Sequence, residues 1–119
     1  MSGNGYSGNT NALAIVERYD QAVNYLYPII QNLPRSHGQF RDRLLGTLLA
    51  VPGQLYTAAK SNQASRIYVV DASLAELRWL LRFAVHAQRK LITPHQHEVA
   101  SVHLAETGKM LGAWMKSKR

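Results

Sequence analysis

The sequence predicts an all-α protein that folds as an up-down-up-down antiparallel four-helix bundle. Its 119 residues suffice for one domain with its own core, but not for two. Apolar residues recur at three- and four-residue spacings along four successive segments, which places them on one face of each helix. The predicted connections, at about residues 34–38, 60–63 and 91–93, are short, so consecutive helices should lie side by side and antiparallel.

The first two helices each contain a proline but keep their apolar phase. Residues 1–10 are rich in glycine, asparagine and serine and predict a flexible leader. The first helix then presents one apolar face formed by Leu13, Val16, Tyr19, Val23, Leu26, Ile30 and Leu33. The second helix, from about Gln39 to Lys60, is interrupted by Pro52-Gly53, but its apolar phase continues and favours one kinked helix. Its face is formed by Leu44, Leu48, Val51, Leu55 and Ala59.

The third and fourth helices have clearer sequence signals. The third, predicted from about Gln63 to Leu91, alternates three- and four-residue steps through Ile67, Val70, Leu74, Leu77, Leu81 and Ala84. Thr93-Pro94 starts the fourth, because threonine can cap a helix, proline suits its first position, and Gln96 can close a capping box. This helix runs to about Lys116 through Val99, Val102, Leu104, Leu111 and Met115. The bundle domain is therefore predicted at residues 11–117, followed by a basic end at 118–119.

The charge distribution predicts a polyanionic or acidic partner. Fourteen Lys and Arg against seven Asp and Glu give a formal net charge of +7. Residues 1–33 carry −1 and the rest of the chain +8, so the excess lies on the folded helices. The chain has no cysteine, no basic start followed by an apolar signal, and no stretch long enough to cross a membrane. We expect a cytoplasmic protein without a membrane partner.

Basic side chains of the third helix are the first candidates for a phosphate-binding surface. Helical spacing would place five of them on one stripe beside the apolar seam: Arg78, Arg82, His86, Arg89 and Lys90. Arginine suits bidentate phosphate contacts, and only Asp71 and Glu76 are near enough in sequence to pair with these bases. A solvated helix face is the alternative interpretation. Further candidates lie near the start of the second helix and at the C-terminal end: Arg35, Arg41, Arg43, Lys116, Lys118 and Arg119.

Aromatic and glycine residues indicate packing surfaces. Trp79, Phe83 and Trp114 could stack unpaired bases, but such residues beside a seam are more typical of a core or subunit interface. Gly108 and Gly112 indicate close approach by another helix, within one subunit or between two. The third helix also has apolar residues off its seam, which predicts oligomerisation: Val69, Trp79, Leu80 and Phe83.

No residue pattern in the sequence supports catalysis or metal binding. A phosphate-cradling glycine loop, a two-histidine carboxylate set and a Glu-x-x-His pair are all missing. His95 and His97 would point about 200° apart on a helix and could not converge on one ion. We therefore expect no catalytic residue, no cofactor and no metal, which means that the protein is not an enzyme.

Several motifs resemble a known family of small four-helix-bundle proteins. The stretch from Tyr19-Asp20 to Leu26-Tyr27-Pro28, followed by Leu33-Pro34-Arg35-Ser36, resembles the opening helix and turn of that family. The family includes the proteins of ribosomal RNA intervening sequences and the accessory variability determinant proteins of diversity-generating retroelements. LAELRWLLR at residues 74–82 and ETGKMLGAWMK at residues 106–116 are similar to the latter branch. Val51-Pro52-Gly53 is similar to the intervening-sequence branch, which stays an alternative.

The resemblance implies a non-catalytic accessory protein that assembles as a homo-oligomeric ring or barrel, a pentamer in the characterised type. It also implies binding of the cognate reverse transcriptase and of RNA, with DNA as a further nucleic acid, in support of mutagenic reverse transcription. Arg78 and Arg82 match arginines of the family's basic surface. Two alternatives stay open, namely a protein-interaction scaffold that recognises an acidic protein and an intervening-sequence-type protein of unassigned role.

Overall fold

Four α-helices make up the bundle in the computed structural model, which describes residues 3–118 and, from residue 11 onward, their side chains. The helices span Gly3–Gln31 (α1), Gly38–Ser61 (α2), Ala64–Val85 (α3) and Pro94–Ser117 (α4). A 3-10 turn, Arg35–His37, joins α1 to α2. Residues 3–118 contain no β-strand. Each helix packs against two neighbours, in the order α1, α2, α3, α4 and back to α1. The all-α four-helix prediction is confirmed, whereas the oligomeric ring stays a prediction.

The first helix begins earlier than the sequence indicates. Residues 3–10, assigned to a flexible leader, lie in α1. Adding a residue to an existing helix is far easier than nucleating one, so the helical backbone can extend through glycine-rich sequence despite its low helix propensity. The flexibility of this segment stays a prediction. Residues 1, 2 and 119 lie outside the described residues, so only Lys118 of the basic end at 118–119 is described.

The third helix ends six residues before its predicted end at Leu91, so that prediction is wrong. Helix α3 stops at Val85, and the connection to α4 occupies residues 86–93. The backbone N–H groups of Leu91 and Ile92 donate to the carbonyl oxygen of Ala84, at 2.8 and 3.4 Å. This return buries Ile92 in the core. The residues assigned to the end of a longer helix therefore belong to a segment that folds back over the end of α3.

The predicted extents of α2 and α4 are confirmed. Helix α2 runs without a break through Pro52. At the start of α4 the capping box is complete: the Gln96 backbone N–H donates to Thr93 Oγ1, and the Thr93 backbone N–H donates to Gln96 Oε1, both at 3.0 Å. Pro94 occupies the first helical position, where its missing N–H leaves no helical bond unmade.

The core contains the entire predicted seam of α3, but it corrects the faces of α1 and α4. Every seam residue from Ile67 to Ala84 is buried. Leu13 and Val102, both assigned to the core, are exposed. Small or polar residues take their places on the inward faces: Ala12 and Ala22 on α1, and Ala100 and Thr107 on α4. Five of the seven residues predicted for the α1 face are buried, whereas on α4 the buried Ala100 and Trp114 each lie one position from the predicted Val99 and Met115.

A tyrosine of α1 explains how α2 accommodates its internal proline. Pro52 has no backbone N–H, so the carbonyl oxygen of Leu48 loses its helical donor four residues on. The buried Tyr19 hydroxyl donates to this same oxygen at 2.6 Å. Because an unsatisfied carbonyl in the core costs free energy, the bond from α1 stabilises the interrupted helix.

A double-mutant cycle tests this bond. Tyr19→Phe should lower the free energy of unfolding by about 1 to 3 kcal/mol, because it leaves the buried Leu48 carbonyl without a donor. In a Pro52→Ala background the restored backbone N–H donates to that carbonyl. Tyr19→Phe should then lower the free energy of unfolding by less. Urea denaturation of the four proteins gives the coupling. Equal costs in both backgrounds would show that the hydroxyl does not replace the missing helical donor.

The Tyr19→Phe variant should also differ from wild type at high pH. Burial raises the pKa of Tyr19 above its usual value near 10. Above pH 10 the unfolded chain loses a proton that the folded chain keeps, so the wild-type free energy of unfolding falls. The expected extra slope grows from about 0.7 kcal/mol per pH unit at pH 10 towards about 1.4 kcal/mol per pH unit near pH 11, and Tyr19→Phe should lack it. Denaturation curves measured between pH 9 and 11 make the comparison, and identical slopes would contradict it.

Candidate nucleic-acid interface

Most of the predicted basic residues gather at one end of the bundle, where α2 and α4 begin and α3 finishes. Phe40 in the first turn of α2 stacks on Phe83 in the last turn of α3, with ring centroids 4.9 Å apart. This contact brings the two helix ends together. We call this end of the bundle the basic end, and its basic residues are Arg35, Arg41, Arg43, Arg82, His86, Arg89 and Lys90.

Arg78 lies one turn before Arg82 on α3 and reaches across to α4. Its Nη2 atom donates to the carbonyl oxygen of Leu104 at 3.4 Å. A Cβ atom added at Gly108 would lie 2.9 Å from the same Nη2, whereas nothing lies within 4 Å of a Cβ added at Gly112. The close approach at Gly108 is therefore made by an arginine side chain rather than by a helix. Arg78 and Arg82 are both exposed, and their predicted helical spacing is confirmed.

The other three members of the predicted stripe are not helical. His86, Arg89 and Lys90 lie in the connection between α3 and α4, so their placement on a helix face is wrong. The Arg89 guanidinium lies over the ring of Phe83, with its Cζ atom 3.7 Å from the centroid. Lys90 adopts the left-handed conformation, with φ at 53°. These residues still lie at the end of α3, because the connection turns back over it.

Acidic residues neutralise only part of the basic end. Arg43 Nε lies 2.5 Å from Glu76 Oε2, and Arg41 Nε lies 3.7 Å from Asp42 Oδ1. Glu98, the fifth residue of α4, forms no ion pair with the side chains from residue 11 to residue 118. Around this end, five bases have no carboxylate of the described side chains at ion-pair distance: Arg35, Arg78, Arg82, Arg89 and Lys90. Their charges are available to an external anion.

The two C-terminal lysines lie far from this cluster. The Nζ atom of Lys118 donates to Asn62 Oδ1, just beyond the end of α2, which is the opposite end of the bundle. Lys116 lies in the last turn of α4 beside it. The bundle is 53 Å long, so these lysines cannot extend the surface around Arg82. Arg119 lies outside the described residues.

The three aromatic candidates occupy different environments. Trp114 is only 3% exposed and belongs to the core, as the packing interpretation predicted. Phe83 is half-buried between Phe40 and Arg89. Trp79 is 53% exposed and lies outside the core. Of the other residues off the α3 seam, Leu80 is buried in its own bundle and Val69 is exposed.

The described residues contain neither a metal-binding group nor a membrane-spanning helix. No group of three His, Cys, Asp or Glu side chains in that range could hold a metal ion. None of the helices there is long and apolar enough to cross a membrane.

Comparison with known proteins identifies the family. The model of a family described as bAvd-like matches residues 13–118, a range that reaches into all four helices. The sequence matches no curated protein. The motifs of residues 19–36, 74–82 and 106–116 all fall within the matched range. Proteins of this type are non-catalytic and have an accessory role in diversity-generating retroelements. The chain therefore belongs to the bAvd-like family.

Proposed function

We propose that this protein binds the reverse transcriptase and the template RNA of its retroelement through its basic surface, and so supports mutagenic reverse transcription in the cytoplasm. The observation that carries the proposal is the cluster of unpaired bases at one end of a bundle of this family. DNA presents the same phosphates and is a second candidate nucleic acid. The protein itself supplies charge and shape rather than catalysis.

The arrangement of the basic end suits a phosphate backbone. Arginine and lysine side chains from the 3-10 turn, α3 and the connection after α3 surround an end about 22 by 21 Å across. Side chains spread over such a surface can contact separate phosphates, and each contact releases counterions. Affinity for RNA should therefore fall steeply with salt. An acidic protein partner would make fewer, geometrically defined ion pairs, and this is the scaffold alternative.

A groove between α2 and α3 supports assembly of the protein with copies of itself. Its floor is formed by small residues of α2, Gly46, Ala50 and Gly53, next to two adjoining cavities of about 360 and 440 Å³. Three exposed apolar side chains lie on the same two helices: Leu49, Tyr56 and Val69. Small residues allow close approach of a helix, and exposed apolar area favours its burial. We propose a homo-oligomer, and its pentameric ring form rests on the family resemblance.

Light-scattering mass measurements test the proposal first. The purified protein is measured alone and with a structured RNA, at low and at moderate salt. We expect a discrete oligomer that binds RNA at low salt and releases it as salt increases. A monomer that does not bind RNA at either salt concentration would refute RNA binding and assembly together. This result would favour the scaffold alternative.

Co-purification with the retroelement's reverse transcriptase tests the second partner. Nuclease treatment before capture separates a direct contact from one bridged by RNA. If the complex survives nuclease, the polymerase contacts the protein directly; if it dissociates, RNA holds the two together. Failure to co-purify with or without RNA would refute the polymerase as a partner. The intervening-sequence alternative makes a different prediction, because its gene should have no reverse transcriptase gene and no paired repeats beside it.

A further inference from the structure

The largest exposed aromatic surface of α3 is that of Trp79. The two tryptophans of the chain differ sharply, since Trp114 is 3% exposed in the core and Trp79 is 53% exposed. Exposing much of an indole forgoes the free energy that its burial would provide. Contacts within the bundle therefore do not account for a tryptophan at this position.

Aromatic and arginine contacts hold the Trp79 ring from behind. Its centroid lies 5.6 Å from that of Phe83, with 31° between the ring planes. Phe83 in turn stacks on Phe40 at 4.9 Å and carries the Arg89 guanidinium 3.7 Å from its centroid. The contacts join α2, α3 and the connection after α3. Phe83 is thus held by contacts from three elements, and its own contact with Trp79 supports one side of the indole while the other side stays free.

Positive charge flanks this indole along α3. Arg82 follows Trp79 by three residues and so lies beside it on the same helix face, while Arg78 is the residue before it. The nearest carboxylate along this face, Glu76, is already paired with Arg43. An apolar ring with unpaired guanidiniums next to it matches a flat apolar group that carries negative charge nearby. Among biological polyanions, a nucleotide strand has this form, with a base between successive phosphates.

We propose that Trp79 stacks on an unpaired base of a single-stranded nucleic acid, while Arg78 and Arg82 contact the flanking phosphates. The proposal rests on the RNA binding proposed above and adds the part of the RNA that is recognised. A continuous duplex keeps its bases stacked on one another and offers none to Trp79. The protein should therefore prefer single-stranded segments to duplex, and Trp79 should be responsible for that preference.

The main experiment compares Trp79→Ala with a matched control on the same helix. Tyr68 is 54% exposed on α3, three turns away, and has no stacking partner among the described side chains. Affinities are measured for a single-stranded RNA oligonucleotide and for the same strand annealed to its complement. Trp79→Ala should weaken single-strand binding by about tenfold to a hundredfold and leave duplex binding nearly unchanged. Tyr68→Ala should change neither, and Trp79→Phe should retain part of the affinity.

Tryptophan fluorescence gives a second readout. A base stacked on the exposed indole should quench its emission, whereas the buried Trp114 should be unaffected. Quenching by the single strand in the wild type and its loss in Trp79→Phe would support the proposal. Circular dichroism and light-scattering mass are recorded for every variant.

Three outcomes would overturn the stacking site while RNA binding itself stands. In the first, Trp79→Ala and Tyr68→Ala weaken RNA binding equally. In the second, Trp79→Ala weakens single-strand and duplex binding equally. In the third, Trp79→Ala lowers the oligomer mass together with the affinity. The last result would assign Trp79 to a subunit interface. A wild-type protein that binds neither RNA overturns both this inference and the RNA-binding function, so the two failures are distinguishable.

Discussion

Replacing Leu77 with aspartate should abolish the helical circular dichroism of this protein. Leu77 lies in the middle of the α3 seam and is fully buried. Aspartate there removes the leucine packing and introduces a carboxylate with no cation to pair with it. The combined cost should exceed about 4 kcal/mol, which is a large part of the total stability of a small domain. Circular dichroism and thermal denaturation measure the result.

Ala75→Asp is the matched control for this substitution. Ala75 lies two residues away on the same helix, but its side chain is exposed. An aspartate at that position stays in water, so the variant should keep its helical signal and most of its stability. If Leu77→Asp were as stable as Ala75→Asp, the inward face of α3 would be assigned incorrectly.

Charge reversal at Arg78 and Arg82 should have the largest effect on RNA binding. Both guanidiniums are exposed and have no carboxylate partner in the described structure. Changing both to glutamate replaces two phosphate contacts by two repulsions, so affinity at low salt should fall at least a hundredfold. The slope of log affinity against log salt should decrease by about 1.4, the contribution of two contacts on a single strand. Fluorescence anisotropy at several salt concentrations measures both quantities, with circular dichroism as the folding check.

Lys60→Glu combined with Lys109→Glu is the control of equal charge. Either pair of substitutions lowers the net charge from +7 to +3. Lys60 and Lys109 are exposed and lie outside the basic end. If RNA contacts the surface around Arg82, this control should lose much less affinity. Equal losses in the two double variants would mean that total charge, rather than a localised surface, attracts the RNA.

The sequence was sufficient to predict those parts of the fold that depend on local signals. The seam of α3 follows from regular apolar spacing, and the start of α4 follows from Thr93, Pro94 and Gln96. Side-chain size was the weak signal, because Leu13 and Val102 are large but exposed. How closely neighbouring helices approach decides which residues face inward. Small residues allow a closer approach than large ones.

The candidate site was only partly predictable. Arg78 and Arg82 follow from helical spacing, but the place of Arg89 depends on a chain reversal that contains no glycine and no proline. That reversal is stabilised by Ile92 entering the core, which is a tertiary effect. The Leu48 carbonyl left without a helical donor can be inferred from Pro52 alone, whereas its partner Tyr19 comes from another helix and can be found only in the folded chain.

The unequal ends of the bundle have a consequence for symmetry. Because the basic end lies at one end of a 53 Å axis and the two C-terminal lysines lie at the other, each subunit has a direction as well as a charge. A closed ring with an odd number of subunits, such as a pentamer, has only rotational symmetry, so all its subunits must point the same way. With the bundles aligned along that axis, every basic end would lie on one rim. Such a ring would present the arginines of the basic end on one rim and the two C-terminal lysines on the other.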